Sequence, residues 1–464
     1  MKRKARYTLI ISLPISVFAA GLIAAWIIYQ NIGKTPAELM DYAQRRLEGH
    51  PRLEYVVLPT MQFLRKQLDA PSRADRYRQA FIIPPPPKLY LNPALNNQSQ
   101  FNPTGGKILR VGSNGQIPTI AAAAKLAKDG DIVEIQAGEY YGDVAQWPQK
   151  LLTIRGVGGN ARIIAAGKNV AGKGIWVIQN GHFTVENIDF IGAQAYDKNG
   201  AGIRFENGHL IVRNCLFYGN QNGILANSVG GSTLEIENSE FGYNGAGDGF
   251  SHNLYVGQIS TLKVTGSYFH HANIGHLLKS RAAKNDIRYN RLTDEDGGRA
   301  SYELDLPNGG VSTVIGNLIQ QNRATENSTI IAFGEEGYAW PNNALYLSSN
   351  TIVNDHPQGG AFLRAAPGAQ KIVTANNLLA GMGKYLSPQA IKSLNDNSVT
   401  WSTFVQPSRQ DYRLNRNPAP PGFQIPDTFA EQQNDLVPSS EYRHPRQLQR
   451  LTSLPHFAGA LQTP

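Results

Sequence analysis

The chain alternates short apolar runs with glycine and asparagine from about residue 106 to about residue 385. Eight hexapeptides in this range share one pattern: an apolar residue comes first, a small residue or asparagine comes third or fourth, and an apolar residue comes sixth. They are VENIDF at 185, VRNCLF at 212, IENSEF at 236, VTGSYF at 264, IRYNRL at 287, VIGNLI at 314, LSSNTI at 347 and VTANNL at 373. Their starts are separated by 27, 24, 28, 23, 27, 33 and 26 residues, a period that indicates a repeat architecture.

These repeats are rich in β-forming residues and poor in helical periodicity. Each unit contains two or three short β-rich runs broken by glycine and asparagine, and it is too short for a four-stranded propeller blade. A unit that completes one turn of strands fits a parallel β-helix, in which asparagines at the bends adopt left-handed conformations and stack between turns. The pattern therefore predicts an all-β solenoid over residues 106–385.

The repeats and the segment before them resemble the right-handed parallel β-helix superfamily, which includes pectate lyases and related polysaccharide lyases. The opening segment, IPTIAAAAKLAKDGDIVEIQAGEYYGDV, is similar to the N-terminal cap and first turn of that superfamily. The resemblance covers about residues 106–385. It implies a right-handed coil.

The N-terminal segment, residues 1–30, carries the signals of a membrane anchor. Four of the first six residues are basic, and an apolar run follows from about Leu9 to Tyr29. At about 1.5 Å per residue this run is long enough to cross a bilayer, although FAAGLIAA would offer a cleavage site if the segment were a signal peptide. Basic residues stay in the cytoplasm. We therefore expect a single-pass protein of a bacterial inner membrane with its β-helix in the periplasm, or a secreted protein if the segment is cleaved.

Three further segments complete the predicted organisation. Residues 31–81 are predicted to form a helical stalk, because Thr35 is a suitable N-cap and Pro36 suits the first helical position. Residues 82–105 contain four consecutive prolines, which exclude helix and central strand and predict an extended linker. Residues 386–464 are rich in Pro, Gln and Asn and predict an irregular segment that wraps the solenoid or covers its open end. The predicted fold class is an all-β, right-handed parallel β-helix solenoid with an N-terminal transmembrane helix and a helical stalk.

Composition narrows the choice of partners. The net charge is +9, but only 17% of the residues are charged and no basic helix with interleaved aromatic residues is present, which argues against nucleic-acid binding. An acidic polysaccharide, an anionic membrane surface or a mildly basic surface without a specific partner each explains the charge. The single cysteine, Cys215, excludes an intrachain disulfide. Because apolar residues flank it at strand spacing, we expect a buried thiol.

Polar and charged residues alternate with leucines in three of the predicted strands, HNLYV, HLLKS and SYELDL. Side chains alternate between the two faces of a strand, so burial of Leu254, Leu278 and Leu304 sends their neighbours outwards. The same alternation turns Leu277 outwards and His276 inwards. If the three strands stack at about 4.8 Å, they form one outer patch. The members of the outer patch are Asn253, Tyr255, Lys279, Arg281, Glu303 and Asp305.

Histidines and an aromatic residue make the outer patch a candidate saccharide site. Four of the ten histidines lie within 25 positions of the chain, at 252, 270, 271 and 276. Alternation turns His252 inwards, whereas His271 falls in a turn that reaches the edge of the patch, and Tyr255 offers a platform for a sugar ring. The candidate substrate-binding residues are Asn253, Tyr255, His252, His271, His276 and Arg299. The simpler alternative is a surface ladder of opposite charges, each pair worth about 0.2–1 kcal/mol.

The stretch HLLKSRAAKNDIRYN is similar to the lysine-bearing strand of the alginate lyase and chondroitinase B family. The resemblance implies that Lys279 removes the proton beside a uronate carboxylate. It also implies that Arg281 or Arg299 takes the place of the arginine that assists in that family. Where the family has calcium-binding acids, this chain has Ala272 and Ile274. The implied substrate is an acidic, uronate-containing polysaccharide.

Two other chemistries remain open. Glu303 and Asp305, two apart on one strand face, would be separated by about 6.5–7 Å at the backbone, which suits a glycoside hydrolase. The acid-rich loop TDEDGG, residues 293–298, is a candidate Ca²⁺ site, and no motif demands another cofactor. Adjacent acids would also favour the protonated form of Lys279, which opposes a role as base.

Three classes of function follow from these patterns. The first is a membrane-tethered, polysaccharide lyase-like enzyme. Its candidate catalytic residues are Lys279, Arg281, Glu303 and Asp305. The second is a glycan-binding or exopolysaccharide-export scaffold without catalysis. The third is a structural solenoid that docks a protein, which would present an apolar face rather than a charged one.

Overall fold

The structure is a computed structural model. It describes residues 51–68, 81–91, 105–425 with the exception of 114 and 326, and 436–462, together with residues 40, 43, 44 and 47. The predicted anchor over 1–30 lies outside these residues. Among the residues described, no helix is long and apolar enough to cross a membrane.

The chain divides into two compact units, Met1–Gln79 and Ala80–Pro464. The first contains helix α1 (Pro51–Gln67), which lies inside the segment predicted as a helical stalk. The second contains the solenoid and a short helix, α2 (Ile120–Leu126). The side chain of Thr119 caps the N-terminus of α2, as is typical of threonine at this position.

The second unit is built from short strands. At the N-terminal end of the solenoid lie β1 (Ile108–Val111), β2 (Ile132–Tyr141), β3 (Ala145–Trp147), β4 (Leu151–Ile164) and β5 (Gly174–Ile178). Eight turns of three strands follow: β6 (His182–Glu186), β7 (Ile188–Ile191), β8 (Ala201–Phe205); β9 (His209–Arg213), β10 (Leu216–Tyr218), β11 (Asn222–Ala226); β12 (Thr233–Glu237), β13 (Glu240–Gly242), β14 (Leu254–Val256); β15 (Thr261–Thr265), β16 (Tyr268–His270), β17 (His276–Ser280); β18 (Lys284–Arg288), β19 (Arg291–Thr293), β20 (Tyr302–Leu306); β21 (Val311–Ile315), β22 (Leu318–Gln321), β23 (Thr329–Phe333); β24 (Ala344–Ser348), β25 (Thr351–Asn354), β26 (Ala361–Ala365); β27 (Lys371–Ala375), β28 (Leu378–Gly381) and β29 (Lys384–Leu386). The last strands are β30 (Lys392–Leu394), β31 (Asn397–Val399), β32 (Phe404–Gln406), β33 (Asp411–Leu414), β34 (Ser440–Arg443) and β35 (Gln447–Arg450).

The strands of successive turns pair in parallel and in register. The third strand of each turn joins β3 and β5 in a ten-stranded sheet, and the first and second strands belong to a 21-stranded sheet. Each turn thus adds one strand to each of three faces of the coil. The all-β parallel solenoid predicted from the repeats is confirmed, whereas its right-handedness stays a prediction from the resemblance.

The sixth position of the repeat pattern forms the centre of the core. Phe190, Phe217, Phe241 and Phe269 are fully buried. Their rings stack face to face with successive centroids 5.0, 4.6 and 4.6 Å apart. Each such pair contributes about 0.5–1.5 kcal/mol beyond the burial of its area. The stack therefore ties four consecutive turns together from inside.

A ladder of polar side chains fastens the bend between the first and second strands of each turn. The Nδ2 groups of Asn290, Asn317 and Asn350 each donate to the Oδ1 of the next asparagine, and Asn377 donates to Asp396, at 3.0, 3.1, 3.0 and 2.8 Å. The predicted stacking of asparagines between turns is confirmed. The predicted left-handed conformation is found at Asn187, Asn214 and Asn238 of the earlier turns, whereas in this ladder it falls on the residue before each member. Those preceding residues, with positive φ, are Tyr289, Gly316, Ser349, Asn376 and Asn395.

The proline-rich segment lies against the solenoid. Residues 81–91 form neither helix nor central strand, as the prolines predicted. The carbonyl oxygen of Pro84 accepts a hydrogen bond from the hydroxyl of Tyr218 at 3.0 Å, and that of Pro87 accepts one from Arg162 Nη2 at 2.7 Å. Prolines lack an amide hydrogen but keep their carbonyl acceptors, so the proline part of the segment is held by hydrogen bonds to its carbonyl groups.

The C-terminal part of the chain extends the coil and then packs on its side. Strands β30 and β31 carry the solenoid to Val399, beyond the predicted boundary at 385. The pairs β32–β33 and β34–β35 are antiparallel. Phe404 and Tyr412 pack against Leu318 of the coil in a separate apolar cluster. This segment therefore has more regular structure than the sequence predicted.

Cys215 is fully buried, as predicted. Burial raises the pKa of its thiol to about 12, so the thiol keeps its proton at neutral pH. Its backbone amide donates to the hydroxyl of Ser239 at 3.1 Å, which continues the line of the bend ladder. The residue has a structural role.

Replacement of Asn317 by Ala should lower the free energy of unfolding by about 3 kcal/mol. The change removes the acceptor of the Asn290 backbone amide and the donor to the carbonyl of Ile287, both of which stay buried. Urea midpoints of the two proteins measure the effect. Asn180→Ala, at an exposed position, is the control and should change stability by less than about 0.5 kcal/mol. Equal shifts in the two variants would contradict the ladder's role.

Candidate active site

Two adjacent rows of side chains on β14, β17 and β20 separate the core from the surface. The inner row is fully buried. It consists of Leu254, Leu278 and Leu304. The outer row lines a cleft of about 780 Å³, the central cleft. It consists of Tyr255, Lys279 and Asp305.

The walls of the central cleft come from the third strands of five turns, from loops on either side of these strands, and from the loop after β23 of a sixth turn. The further side chains that matter below are Arg204, Phe250, His252, His276, Arg281, Tyr302, Glu335 and Glu336. The structure thus brings together six of the ten residues predicted for the site. They are His252, Tyr255, His276, Lys279, Arg281 and Asp305.

The alternation of side chains breaks at the start of β17 and of β20. Leu277 and Leu278 are both buried in the core, and Glu303 and Leu304 are both fully buried, so that His276 lines the cleft. The predictions that Leu277 and Glu303 face outwards and that His276 faces inwards were wrong. Each of these strands follows a bend, where two consecutive side chains turn to the same side. Burial of Leu277 gains about 1.5–3 kcal/mol, which favours this arrangement.

Asn253 is fully buried and does not belong to the outer patch. Its Oδ1 accepts a hydrogen bond from Asn244 Nδ2 at 2.8 Å, and its own Nδ2 donates to the carbonyl of His270 at 2.8 Å. The predicted outward position was wrong because Asn253 ends a second asparagine ladder, at the bend between the second and third strands. A buried amide is tolerated there because its donors and acceptors are satisfied.

Two histidines stand side by side in the cleft. The rings of His252 and His276 have centroids 4.5 Å apart, and His252 Nδ1 accepts the backbone amide of His276 at 2.9 Å. The inward direction predicted for His252 was also wrong, because its ring stacks on Tyr255. Burial lowers the pKa of both imidazoles, which are therefore neutral at neutral pH. Nδ1 of His276 lies 3.1 Å from Oδ2 of Asp305, although the two groups are not aligned as a hydrogen bond. The nearby carboxylate favours a proton on Nδ1, which leaves Nε2 able to accept one.

Lys279 lies between two carboxylates. Its Nζ is 3.1 Å from Oδ2 of Asp305 and 2.7 Å from Oε1 of Glu336. Burial favours the neutral form of Asp305, but the contacts with His276 and Lys279 outweigh it and lower the pKa of this carboxyl. In the same way Lys279 and Arg281 outweigh the burial of Glu336 and lower its pKa. The cleft therefore holds an ammonium group between two ionised acids.

Arg281 is held by three further contacts. Its Nε donates to the hydroxyl oxygen of Tyr255 at 3.1 Å, its Nη1 to Oδ1 of Asn308 at 2.6 Å, and its Nη2 to Oε2 of Glu336 at 2.6 Å. The indole of Trp340 donates to the backbone carbonyl of Arg281 at 3.1 Å. A guanidinium held in this way presents its donors in a fixed plane.

The structure places His271 and Arg299 away from the central cleft. The Nδ1 of His271 lies 2.7 Å from Nδ1 of His270, and its Nε2 lies 3.0 Å from the carbonyl oxygen of Asp296. Arg299 donates from Nε to Oδ1 of Asn273 at 3.1 Å. Both residues precede the third strand of their turns and contact neighbouring loops instead of the cleft, which corrects the prediction that they bind substrate there.

The predicted pair of acids for a hydrolase is absent from the cleft in the part of the chain described. Glu303 is fully buried, its Oε2 is 3.4 Å from Gln321 Nε2, and its Oε1 has no hydrogen-bond partner among the described residues. Burial, and next the charge of Asp294, raise the pKa of Glu303 well above its ordinary value. Glu303 and Asp305 therefore lie on opposite sides of their strand.

The acid-rich loop uses its carboxylates within the chain. Oδ2 of Asp294 accepts the backbone amide of Ala300 at 2.8 Å, and Oε1 of Glu295 lies 3.0 Å from Nη2 of Arg291. Across the described residues, no three or more His, Cys, Asp or Glu side chains lie together so that they could hold a metal ion. The geometry gives no support to the candidate Ca²⁺ site in this loop.

Sequence reasoning missed Glu336. It is 57 residues from Lys279 along the chain and lies in the loop FGEEGYAW, which has no repeat pattern. The available signal was its place, because the loop follows β23 and β23 pairs with β20 beside Asp305. The loop after the third strand of one turn therefore lies beside the outer-row residue of the preceding turn, here Asp305.

Comparison with solved structures finds the same architecture. Pectate lyase Pel9A matches with a TM-score of 0.53 at 12% sequence identity, over 78% of this chain and 98% of that chain. The chain has the fold of this pectate lyase. The resemblance predicted from the repeats is therefore confirmed for the fold.

Other comparisons add no further argument. Pectin methylesterase from Aspergillus niger matches in its deglycosylated form with a TM-score of 0.31 at 13% identity, and in its penultimately deglycosylated form with 0.29 at 14% identity. Each match covers 71% of this chain and 96% of that chain, and TM-scores this low carry no weight. No protein-family model matches the sequence, and no curated protein matches it significantly.

Replacement of Glu303 by Gln should remove part of the pH dependence of stability. A carboxyl whose pKa is raised by folding stabilises the fold fully below its unfolded pKa, near 4.5, and this stabilisation is lost as the pH rises towards the folded pKa. The free energy of unfolding of the wild type, relative to the variant, should fall by up to about 1.4 kcal/mol per pH unit above that point.

Urea midpoints from below pH 4.5 up to neutrality measure this difference. Glu139→Gln, at an exposed position, controls for the loss of one acid. A wild type that gains stability relative to Glu303→Gln as the pH rises would contradict the buried, protonated state of Glu303.

Proposed function

We propose that the protein is a polysaccharide lyase-like enzyme that acts on an acidic, uronate-containing polysaccharide in the central cleft. The observation that carries the proposal is the pair His276–Asp305 beside the cations Lys279 and Arg281. β-Elimination next to a carboxylate needs a base, positive charge at the carboxylate and a proton donor for the leaving oxygen. The fold shared with a pectate lyase is compatible with this chemistry but does not carry the proposal.

His276 is the proposed base, in place of Lys279. Lys279 lies between the carboxylates of Asp305 and Glu336, which favour its ammonium form, whereas the imidazole of His276 is neutral and its Nδ1 lies 3.1 Å from Oδ2 of Asp305. Nε2 of His276 would take the proton from the sugar carbon beside the carboxylate. Asp305 would stabilise the imidazolium that forms, as a carboxylate does for a histidine base.

The electron pair of the broken C–H bond forms a C=C bond, and the C–O bond to the neighbouring sugar breaks. The departing oxygen needs a proton, for which we propose the hydroxyl of Tyr302. Burial raises the pKa of Tyr302 to about 12, so it carries this proton at neutral pH, and its ring lies 4.8 Å from that of His276 between centroids. The step is redox-neutral, and solvent returns the proton from His276 to Tyr302.

Lys279 and Arg281 would bind the uronate carboxylate. A lysine and an arginine together neutralise the charge that moves onto this group when the proton leaves. Tyr255, which lies under the guanidinium of Arg281 at 5.9 Å, would contact the sugar ring. Its position in the outer row beside Lys279 supports this role.

A second candidate function is glycan binding without catalysis, as in an export or assembly scaffold. One observation favours it: Phe250 at the cleft wall is 86% exposed, as an aromatic platform for a polymer would be. Exposed large apolar side chains beside polar ones are typical of binding sites. This candidate needs no base.

We also propose that residues 1–30 tether the protein to a bacterial inner membrane, with the β-helix in the periplasm. The support is the basic start of the chain and the apolar run from Leu9 to Tyr29. A cleaved signal peptide would instead release the protein. Extraction of the cell membranes with carbonate separates the two, because a spanning anchor stays with the lipid.

The enzymatic proposal is tested by incubating the full-length protein with a panel of uronate-containing polysaccharides. The ultraviolet absorbance of the unsaturated sugar and the number of reducing ends should rise together. His276→Asn should lower kcat by about a hundredfold to ten-thousandfold, as expected for loss of a general base. Lys279→Ala should lower kcat/KM, because the uronate loses a cation. The control is His182→Asn, at an exposed position on another face.

The pH profile decides between the two bases. With His276 as base, kcat/KM should rise with pH around an apparent pKa below 6.5, because burial lowers the pKa of this imidazole. A rise in the alkaline range, near the value of about 10 for lysine, would return the role to Lys279. Reducing ends without the absorbance would indicate hydrolysis, and binding without products would favour the scaffold.

A further inference from the structure

We propose that Glu336 is an internal occupant of the carboxylate subsite in the central cleft, which an acidic saccharide must displace in order to bind. Both oxygens of this side chain are engaged, Oε1 by Lys279 Nζ at 2.7 Å and Oε2 by Arg281 Nη2 at 2.6 Å. This is the two-cation contact that a uronate carboxylate would make. The inference rests on the proposed function in one respect, the identity of the displacing ligand.

The two cations stay in place without Glu336. Lys279 keeps its contact with Asp305 at 3.1 Å, and Arg281 keeps Tyr255 at 3.1 Å and Asn308 at 2.6 Å. Tyr255 and Asp305 belong to the stacked strands, whose register fixes them. The subsite is therefore organised by the solenoid, and Glu336 is the part of it that comes from a loop.

The side chain of Glu336 is more exposed to solvent than the side chains that it contacts. Its side chain is 47% exposed, whereas those of Lys279, Arg281 and Asp305 are 10%, 18% and 5% exposed. The carboxylate thus covers the cations from the solvent side, which is the side from which a ligand arrives. A ligand carboxylate can replace it without any movement of the outer row.

The loop that carries Glu336 is a tight turn held at both ends. Gly334 and Gly337 have φ of +76° and +90°, values that favour glycine, and the amide of Gly337 donates to the carbonyl of Gly334 at 2.9 Å. The amide of Glu336 donates to the carbonyl of Pro307 at 3.1 Å. Rotation of the Glu336 side chain, with the turn in place, is therefore sufficient to open the subsite.

Charge balance indicates which ligand would open it. The cations that line the cleft are Arg204, Lys279 and Arg281, and the anions are Asp305, Glu335 and Glu336, three against three. An acidic saccharide that displaces Glu336 replaces one carboxylate with another at the cations, so their pairing is kept. A neutral saccharide in the place of Glu336 would leave Arg281 with neutral partners only and Lys279 with Asp305 alone. A largely buried charge that loses its counter-charge is costly. The subsite occupied by Glu336 therefore favours acidic over neutral saccharides.

The test compares Glu336→Gln with Glu335→Gln, which removes an acid from the next position of the same loop. Titration calorimetry with tri-galacturonate and with maltotriose gives the affinities for an acidic and a neutral trisaccharide. We expect Glu336→Gln to bind the acidic trisaccharide at least about tenfold more tightly than the wild type, because an internal competitor is removed. Glu335→Gln should change this affinity by less than about threefold, and the affinity for maltotriose should not change.

A second variant guards against loss of the fold. Glu336→Asp keeps the charge but is one methylene too short to reach both cations, so its affinity for tri-galacturonate should lie between those of the wild type and Glu336→Gln. Thermal unfolding of all variants checks their integrity. An affinity that is unchanged or weaker in a folded Glu336→Gln would overturn the proposal.

The outcomes also separate this inference from the proposed function. If Glu336→Gln binds the acidic trisaccharide more tightly and neither protein cleaves any polymer, the occupied subsite stands and the lyase proposal fails. If the wild type cleaves a polymer and Glu336→Gln has the same KM for it, the lyase stands and the occupied subsite fails.

Discussion

The register between successive turns is the constraint on which the rest of this structure depends. Parallel pairing holds each residue about 4.8 Å from its counterpart in the next turn. A slip of one residue would bring Lys279 into the row of Leu254 and Leu304 and expose Leu278, which the fold could not tolerate. The stacked phenylalanines and the asparagine ladders prevent such a slip, because each side chain finds its partner at one register only. The site chemistry is thus set by interactions in the core and at the bends.

The charged groups of the central cleft position one another more than they stabilise the fold. Lys279 is almost completely buried, and burying an ammonium group is costly unless partners surround it. Asp305 and Glu336 offset this cost, but a buried ion pair contributes little net stability over an apolar pair of similar volume. What the network supplies is geometry: the direction of an imidazole, the plane of a guanidinium and the place of one carboxylate.

The sequence predicted the fold well and the site in part. A period in the apolar positions is kept when most individual residues change, so the repeats indicated the β-helix although the chain is only 12% identical to a solved structure of the same fold. The outer row was predictable because Tyr255, Lys279 and Asp305 alternate with buried leucines. Strict alternation failed at the bends, where Glu303 turned inwards. Glu336 was out of reach because its loop carries no period and its partners are more than 50 residues away.

The proline-rich segment has a mechanical consequence. Along the chain it meets the solenoid first near Tyr243 through Phe81, then at Tyr218, and later at Arg162, so it runs back across several turns before the coil begins. A force that pulls on the chain before Phe81 would act on all of these contacts at once, because it would slide the segment along the surface of the solenoid. Strand β1 would separate from β2 only after all the contacts of residues 81–91 with the solenoid had broken.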